Sequence, residues 1–385
     1  KRGNEVIVIE KNEKCGKKIY ITGKGRCNIT NDILSEDFLS NVVTNPKFLT
    51  GAVYSFPPQK LMRFLEDGGL RLKTERGGRV FPLSDKASDV TKCLENYCKN
   101  AGVCFHFNEQ VQEICVLQST MSDVITDKAR YACDACIVCT GGLSYPGTGS
   151  TGDGYAFAKQ LGHTVVPVTA ALCGINLKDT DTAPLQGLSL KNVSVSAKKV
   201  GREIGSFFGE MLFTHFGISG PCVLSLSSLI NRLPMSEIEI CIDLKPALDA
   251  QTLDKRILRD FEKYKNKMLI HALDELLPKS LVAVVVARSG ILPSTPVNSV
   301  TKAQRGHLLE TIKRFTLRPS SLRGIQESIV TAGGVDVREI HPKTMESKLV
   351  KGLYFCGEVL DVDAFTGGYN LQIAFSTGYA AGNNV

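Results

Sequence analysis

The stretch Lys351–Gly382, KGLYFCGEVLDVDAFTGGYNLQIAFSTGYAAG, constrains the fold of this chain more than any other. It reads as an apolar strand (Leu353-Tyr354-Phe355-Cys356), then Gly357-Glu358, a polar loop and the glycine pair Gly367-Gly368. A helix opens at Tyr369-Asn370. Ala374, Gly378 and Gly382 recur at four-residue steps, so they share one helix face, where a backbone can press against a sheet. The glycines ahead of the helix let a ligand approach its first N–H groups, and the positive end of the helix dipole favours an electron-rich partner there. A strand–turn–helix packed for its own sake accounts for the small residues. It leaves the Gly-Glu and Gly-Gly punctuation unexplained.

A second block stands near the other end. Glu5–Glu10, EVIVIE, is a β-branched strand tipped by a carboxylate, the pattern of the second strand in a dinucleotide fold, where that carboxylate takes ribose hydroxyls. The sequel KNEKCGKKIYITGKGRCNITN is rich in glycine and cations, and residues 1–30 carry eight Lys/Arg against three Glu, a local charge of +5. Such a loop suits a diphosphate, with Lys11, Lys18, Gly25 and Arg26 as candidate contacts beside the Glu10 carboxylate. A solvated basic face explains the charge equally well. With the C-terminal block, the partner expected is a flavin dinucleotide, whose pyrimidine edge gains negative charge on reduction.

The G-x-G-x-x-G fingerprint of such a site should precede Glu5, but the chain opens at Lys1-Arg2-Gly3. Its literal match, Gly147-Thr148-Gly149-Ser150-Thr151-Gly152, is separated by Thr140–Pro146 from the strand Ala135–Cys139, whereas the fingerprint needs glycines directly after the strand. The expectation is that this match is a decoy and that the phosphate-binding βα unit lies upstream of Lys1.

Five blocks carry a family resemblance: GKKIYITGKGRCNITN, TGGLSYPGTGSTGDGYAFAKQLGH, GEMLFTHFGISGP, TAGGVDVREIHPKTMESK and the C-terminal stretch. Together they resemble the bacterial three-domain NAD(P)/FAD-dependent oxidoreductases of BaiN/RdsA type, among which are aminoacetone-oxidase-like flavoproteins. The resemblance implies an α/β fold: a doubly wound FAD-binding domain of glutathione-reductase-like type with an inserted β-barrel-like domain and a small helical domain. It implies FAD as cofactor and NAD(P)H as co-substrate. It also places Cys27 and Asn28 of GRCN near the flavin, Val111 near the adenine, Thr140, Gly141 and Gly142 along the adenosine or pyrophosphate, and Gly357, Glu358 and Asp361 along the ribityl chain. Gly367, Gly368, Asn370, Leu371 and Gln372 fall at the ring. Catalytic candidates are His215 in FTHFGISGP, as a proton donor, with Tyr145 and Cys27. A hydrogen-bonded structural histidine and a structural thiol remain the other readings of His215 and Cys27.

Composition narrows the classes. The chain has 385 residues, 43% of them hydrophobic, enough for more than one ordinary domain. Its longest apolar run, Leu281–Ala287, is far short of the roughly 20 residues that span a bilayer, and no secretory segment is visible. Thirteen cysteines scattered through apolar strands suit reduced thiols in the cytoplasm. Cys133-x-x-Cys136-x-x-Cys139 lies along a strand with no second pair at zinc-site distance, so no metal is expected. A net charge of +7 without aromatic interleaving argues against a nucleic-acid partner.

Along the chain, helices are expected at 59–67 and 86–100 and strands at 103–107, 111–114 and 130–139. NVSVSAKKV and SEIEICIDL alternate with period two, as in an antiparallel sheet. A helical stretch from Pro246 carries the stripe Leu253, Ile257, Phe261, Tyr264, Met268, Ala272 and Leu276. The expected domains are 1–166 with 327–385 for FAD, 167–247 with 317–326 for the β domain, and 248–316 for the helices. The substrate is expected to be a small molecule held where the inserted domains face the flavin. The activity implied is two-electron hydride transfer through FAD, with NAD(P)H-linked reduction of a small organic or steroid-like enone preferred. Oxygen-dependent oxidation of a small amine is the alternative within the family; a non-catalytic flavin or RNA-associated module is the alternative outside it.

Overall fold

A computed structural model describes residues 3–385. The chain divides into two compact units, the first running to Ala171 and resuming over Ile325–Val385, the second being Leu172–Gly324.

The first unit contains short parallel strands in two pairs, Ile7–Glu10 with Cys104–Phe107 and Cys136–Val138 with Leu353–Phe355. The helix Tyr369–Gly382 stands where the sequence places it, and a further helix, Asp153–Gln160, follows the loop 147–152. Helices Pro58–Asp67 and Ala87–Asn100 begin one residue from their expected starts. Leu353 and Phe355 are fully buried with Val138, Phe157, Ile373 and Ala381 in one core. Burying each large side chain there contributes about 1.5–3 kcal/mol. An antiparallel meander, Val111–Leu117, Thr120–Thr126 and Arg130–Ala132, adjoins it in sequence.

Two expectations for this unit change. Residues 130–139 are not one strand: Arg130–Ala132 closes the meander, and Cys136–Val138 joins the parallel pair after a break at 133–135. Alternation alone does not reveal which partner each half finds. The small-residue face of the C-terminal helix is also not its packing face. A Cβ on Gly378 or Gly382 would meet nothing within 4 Å, while Tyr369, Ile373, Ser376, Thr377, Ala380 and Ala381 are buried.

The second unit is a seven-stranded antiparallel sheet in the order Phe315–Leu317, Ile238–Asp243, Ser189–Lys199, Arg202–Thr214, Gly217–Ser219, Ile175–Leu177, Pro319–Leu322. Its helices share a continuous core with the sheet: Leu253, Ile257, Val285, Leu308 and Ile312 cluster with Val195, Phe213 and Ile240. The expected long helical stripe is interrupted. The helix Ala250–Lys263 ends at Tyr264, Met268 is 51% exposed, and a new short helix starts at Leu269. The polar run Lys265-Asn266-Lys267 separates the two, and both sides still bury apolar residues in the same core.

Candidate functional site

Three distant sequence blocks meet around one carboxylate in the first unit. After the buried strand Leu353–Phe355 the chain turns through Gly357, whose φ of 73° favours glycine, and presents Glu358. Glu358 Oε2 accepts from Lys18 Nζ at 2.7 Å. Its Oε1 accepts from the Thr331 amide at 2.8 Å and from Ser144 Oγ at 3.1 Å. Lys18 also donates to Ser144 Oγ at 2.5 Å, and Thr331 Oγ1 accepts from the amides of Leu143 and Ser144. Gly142 fits because it lacks a side chain: a Cβ there would lie 2.6 Å from Thr331 Oγ1 and 2.9 Å from Glu358 Oε1. Lys18, Gly142 and Glu358 are thus brought together as expected site residues. Ser144 and Thr331 complete the knot; they stand inside quoted motifs, TGGLSYP and TAGGV, but their types alone carry no signal.

The other expected residues fall in defined places. Glu10 ends its strand and accepts from the Asn12 amide at 2.8 Å and from Asn12 Nδ2 at 2.7 Å. Lys11 pairs with Asp153 at 2.7 Å and donates to Thr151 Oγ1, which ties it to the end of the loop 147–152 and the start of the next helix rather than leaving it open. Arg26 is bonded to Glu75 and Asp85 and lies over the Phe81 ring, and Lys73 also pairs with Asp85. Those two cations hold the Asp85 carboxyl below its usual range, Lys73 most strongly. Gly25 and Gly141 have φ of 84° and 72°. Val111 opens the meander. Asp361 receives Asn45 Nδ2 on its carbonyl at 2.7 Å.

Beside the C-terminal helix, Gly367 and Gly368 have φ of 135° and 99°, and a Cβ on Gly368 would lie 2.4 Å from Thr30 O. The protein's own packing therefore already requires glycine there. Asn370 turns its side chain back on the loop, with Nδ2 donating to Ala364 O and Oδ1 accepting from the Ala364 amide. Gln372 is buried and bonded to Thr30, Phe56 and Ser376. Leu371 packs against a small apolar cluster containing Cys27, Ile29 and Leu61. What this helix start can offer a ligand is its first-turn amides, which have no partner within a helix.

Among the catalytic candidates, Cys27 is fully buried at φ 60°, and burial pushes its thiol up to about 11, so it stays protonated. Tyr145 is 37% exposed with φ 52°. His215 belongs to the second unit, exposed in the turn after the strand Arg202–Thr214 and edge-on to Phe216.

A Ser–His–Glu chain also went unforeseen. His163 Nε2 is 2.9 Å from Ser347 Oγ and its Nδ1 is 3.1 Å from Glu339 Oε2. Ser347 is buried and its Oγ accepts from the amides of Leu349 and Val350, so the group locks a turn and offers no free nucleophile. A cavity of about 430 Å³ lined by Arg71, Ser84, Asp89, Lys92 and Asn96 shares no residue with the Glu358 knot.

The family model for the HI0933-like protein Rossmann domain matches residues 1–384. The chain belongs to this family. It is the group of FAD-dependent oxidoreductases of BaiN/RdsA type that the motifs resemble, and the fold is its glutathione-reductase-like FAD-binding architecture. A 3-dehydro-bile acid delta(4,6)-reductase of Clostridium scindens is 32% identical over 98% of this chain and 92% of the relative. A ribosomal RNA dihydrouridine synthase of Haemophilus influenzae is 33% identical over 99% of this chain and 92% of the relative. The fold is shared with a 3-ketosteroid-Δ4-(5α)-dehydrogenase of Rhodococcus jostii, at 13% identity, 99% and 90% coverage and a TM-score of 0.52. The second relative's name removes the footing of the expectation that nucleic acid plays no part. Mean charge and the lack of aromatic interleaving do not exclude an RNA-modifying reaction.

The residues present fit FAD. Asn28 Oδ1, Asn31 Oδ1 and Thr140 Oγ1 are buried without a protein partner. Leaving such atoms unsatisfied costs about 1–3 kcal/mol each. The imide and hydroxyl groups of a flavin dinucleotide are donors of the kind these oxygens lack. Asn31 is an addition to the expected set; its Nδ2 already links Gly77 O and Gly367 O.

Proposed function

We propose that this protein is a flavin-dependent reductase that saturates a carbon–carbon double bond conjugated to a carbonyl, with NADH or NADPH as electron donor. One observation carries this reading. Two relatives that match nearly the whole chain, at 32% and 33% identity, have names that describe the same bond chemistry on unlike molecules. A 3-oxo-delta(4,6) steroid and the uracil ring of uridine both hold a C=C in conjugation with a C=O. Saturating either takes a hydride at the β carbon and a proton at the α carbon.

Bound here, FAD would supply the hydride-transfer chemistry, with a nicotinamide as the source of electrons. The chain's residues supply position and charge. The Lys18–Glu358–Ser144–Thr331 knot fixes the loops that begin at Thr140 and at Gly357. Asn28, Asn31 and Thr140 offer hydrogen-bonding oxygens to the cofactor, Glu10 its carboxylate, and the first turn of Tyr369–Gly382 amides that favour a reduced, anionic ring. His215, with its exposed imidazole, is the proposed proton donor; the Tyr145 phenol is the second candidate, and Cys27 shapes the wall as a neutral thiol.

A small steroid-like enone is the first substrate reading. Uridine in RNA is the second, favoured by the Haemophilus influenzae relative at equal similarity. Thirteen free cysteines favour a reducing compartment such as the cytoplasm. The test is anaerobic: the flavin-loaded protein is bleached with NADH or NADPH, then offered a 3-oxo-delta(4) steroid or a uridine-containing RNA fragment. Recovery of flavin colour with a saturated product supports the proposal and selects the substrate. Recovery only on admitting oxygen, with an amine consumed in turnover, points to an oxidase instead. No bleaching and no recovery points to a non-catalytic flavin module.

A further inference from the structure

Cys139 and Cys356 end two neighbouring parallel strands of the first unit. The register pairs Cys136 with Leu353, Ile137 with Tyr354 and Val138 with Phe355, so Cys139 and Cys356 are the next pair along the ladder. The Cys356 amide donates to Val138 O at 3.0 Å, which continues the pairing. Residues opposite each other on parallel strands point to the same face, and neighbouring strands lie about 4.8 Å apart, inside the roughly 4.4–6.8 Å that a disulfide bridges between Cα atoms. The two thiols are near enough for each to shift the other's acidity. Cys139 is exposed, while Cys356 is buried, with its Sγ 3.4 Å from Thr377 O. The arrangement is two adjacent thiols, one on an exposed residue and one on a buried residue.

We propose that Cys139 and Cys356 form a reversible redox site that closes to a disulfide when it meets a low-molecular-weight disulfide. The Cys139 sulfur attacks one sulfur of the small disulfide, forms a mixed disulfide and releases the first small thiolate. Cys356 gives up its proton and attacks the Cys139 sulfur, forming the Cys139–Cys356 bond and releasing the second small thiolate. The dithiol loses two electrons and two protons, and the small disulfide becomes two thiols. Thiol acidity supports the direction of attack. The Cys356 hydrogen bond draws the Cys139 thiol below its ordinary range, whereas burial pushes Cys136 up to about 12 and Cys15 and Cys222 up to about 11. Cys133 and Cys136, the near neighbours in sequence, are therefore not the resolving thiols: Cys133 lies in the break between the two strands and Cys136 three ladder rungs away. Closing the bond ties Thr140–Gly142 to Gly357–Glu358, the loops proposed to face the cofactor, so oxidation of small thiols outside would be written onto that site. The site stands whatever substrate the enzyme reduces.

The test treats the native protein with glutathione disulfide, blocks remaining thiols, and maps peptides by mass spectrometry, with an Ellman titration of the denatured protein. The expected result is a peptide pair linked through Cys139 and Cys356, a fall from thirteen titratable thiols to eleven, and full return with dithiothreitol. In Cys356→Ser the reaction should stop with one glutathione held on Cys139; in Cys139→Ser, Cys356 should remain unmodified. An unreacted Cys139, a stable glutathione adduct on Cys139 in the unsubstituted protein, or a link from Cys139 to Cys133 or Cys136 each overturns the proposal. The unsubstituted protein decides the matter even where a variant fails to fold.

Discussion

Gly368 and Gly378 lie in the same C-terminal segment and should respond to alanine in opposite directions. Gly368 has φ 99°, and an added Cβ would sit 2.4 Å from Thr30 O and 2.5 Å from Thr30 C. These are backbone atoms of a strand held by Val80, so no side-chain rotation relieves the overlap. Backbone strain of about 1–3 kcal/mol adds to overpacking of about 1–3 kcal/mol. The total of roughly 2–6 kcal/mol is a large part of a typical stability of about 5–15 kcal/mol. For a unit of this size it amounts to a fall of roughly 5–20 °C in the melting temperature. Gly378 lies inside a helix with open space where its Cβ would be, so Gly378→Ala should be neutral or stabilising by about 0.5–1 kcal/mol. The assay is thermal unfolding of flavin-free protein followed by circular dichroism, with urea midpoints as a second measure. A Gly368→Ala protein melting within a degree of the parent would refute the packing argument and return the glycine to a purely cofactor-directed role. If the drop appears, any loss of flavin from a Gly368→Val protein has to be judged against the lost stability of the apoprotein.

Glu358→Ala should cost about 1–3 kcal/mol without flavin, because Lys18, Ser144 and the Thr331 amide all lose an acceptor, and Glu358→Gln should restore part of it; unchanged urea midpoints for both would show the knot to be incidental. Glu10→Ala should weaken FAD binding by roughly tenfold or more through a lost charge-assisted contact, and isothermal titration giving equal affinity would place the ribose elsewhere. His163 is buried and neutral, its pKa lowered by burial against the pull of Glu339. Its folded value lies below the unfolded one of about 6.5, so the stability it contributes is complete above that pH and is lost as pH falls below it. Urea midpoints should therefore drop between pH 7.5 and 5.5, less steeply in His163→Gln, and parallel slopes for the two proteins would clear His163 of the effect.

The sequence by itself determined what local chemistry determines. Apolar runs such as Leu353–Phe355, the carboxylate tip of EVIVIE and the Gly-Gly ahead of the last helix located the elements of a dinucleotide fold, and motif blocks spread along the whole chain carried the family. Strand and helix periods depend on neighbours a few residues away, so they are written locally. What only the tertiary structure decided involves partners hundreds of positions apart. Lys18 meets Glu358, Gly142 yields space to Thr331, and Gly368 gives way to Thr30, pairings that no residue type announces. The small stripe Ala374, Gly378, Gly382 looked like a packing face because spacing fixes which residues share a side of a helix, but not which side the core takes. The same holds for the cysteines. Cys133, Cys136 and Cys139 form a motif on paper, yet the break at 133–135 sends the chain into a different sheet and puts Cys139 beside Cys356. Register between strands is set by the burial of whole faces and by backbone hydrogen bonds, neither of which a single segment encodes.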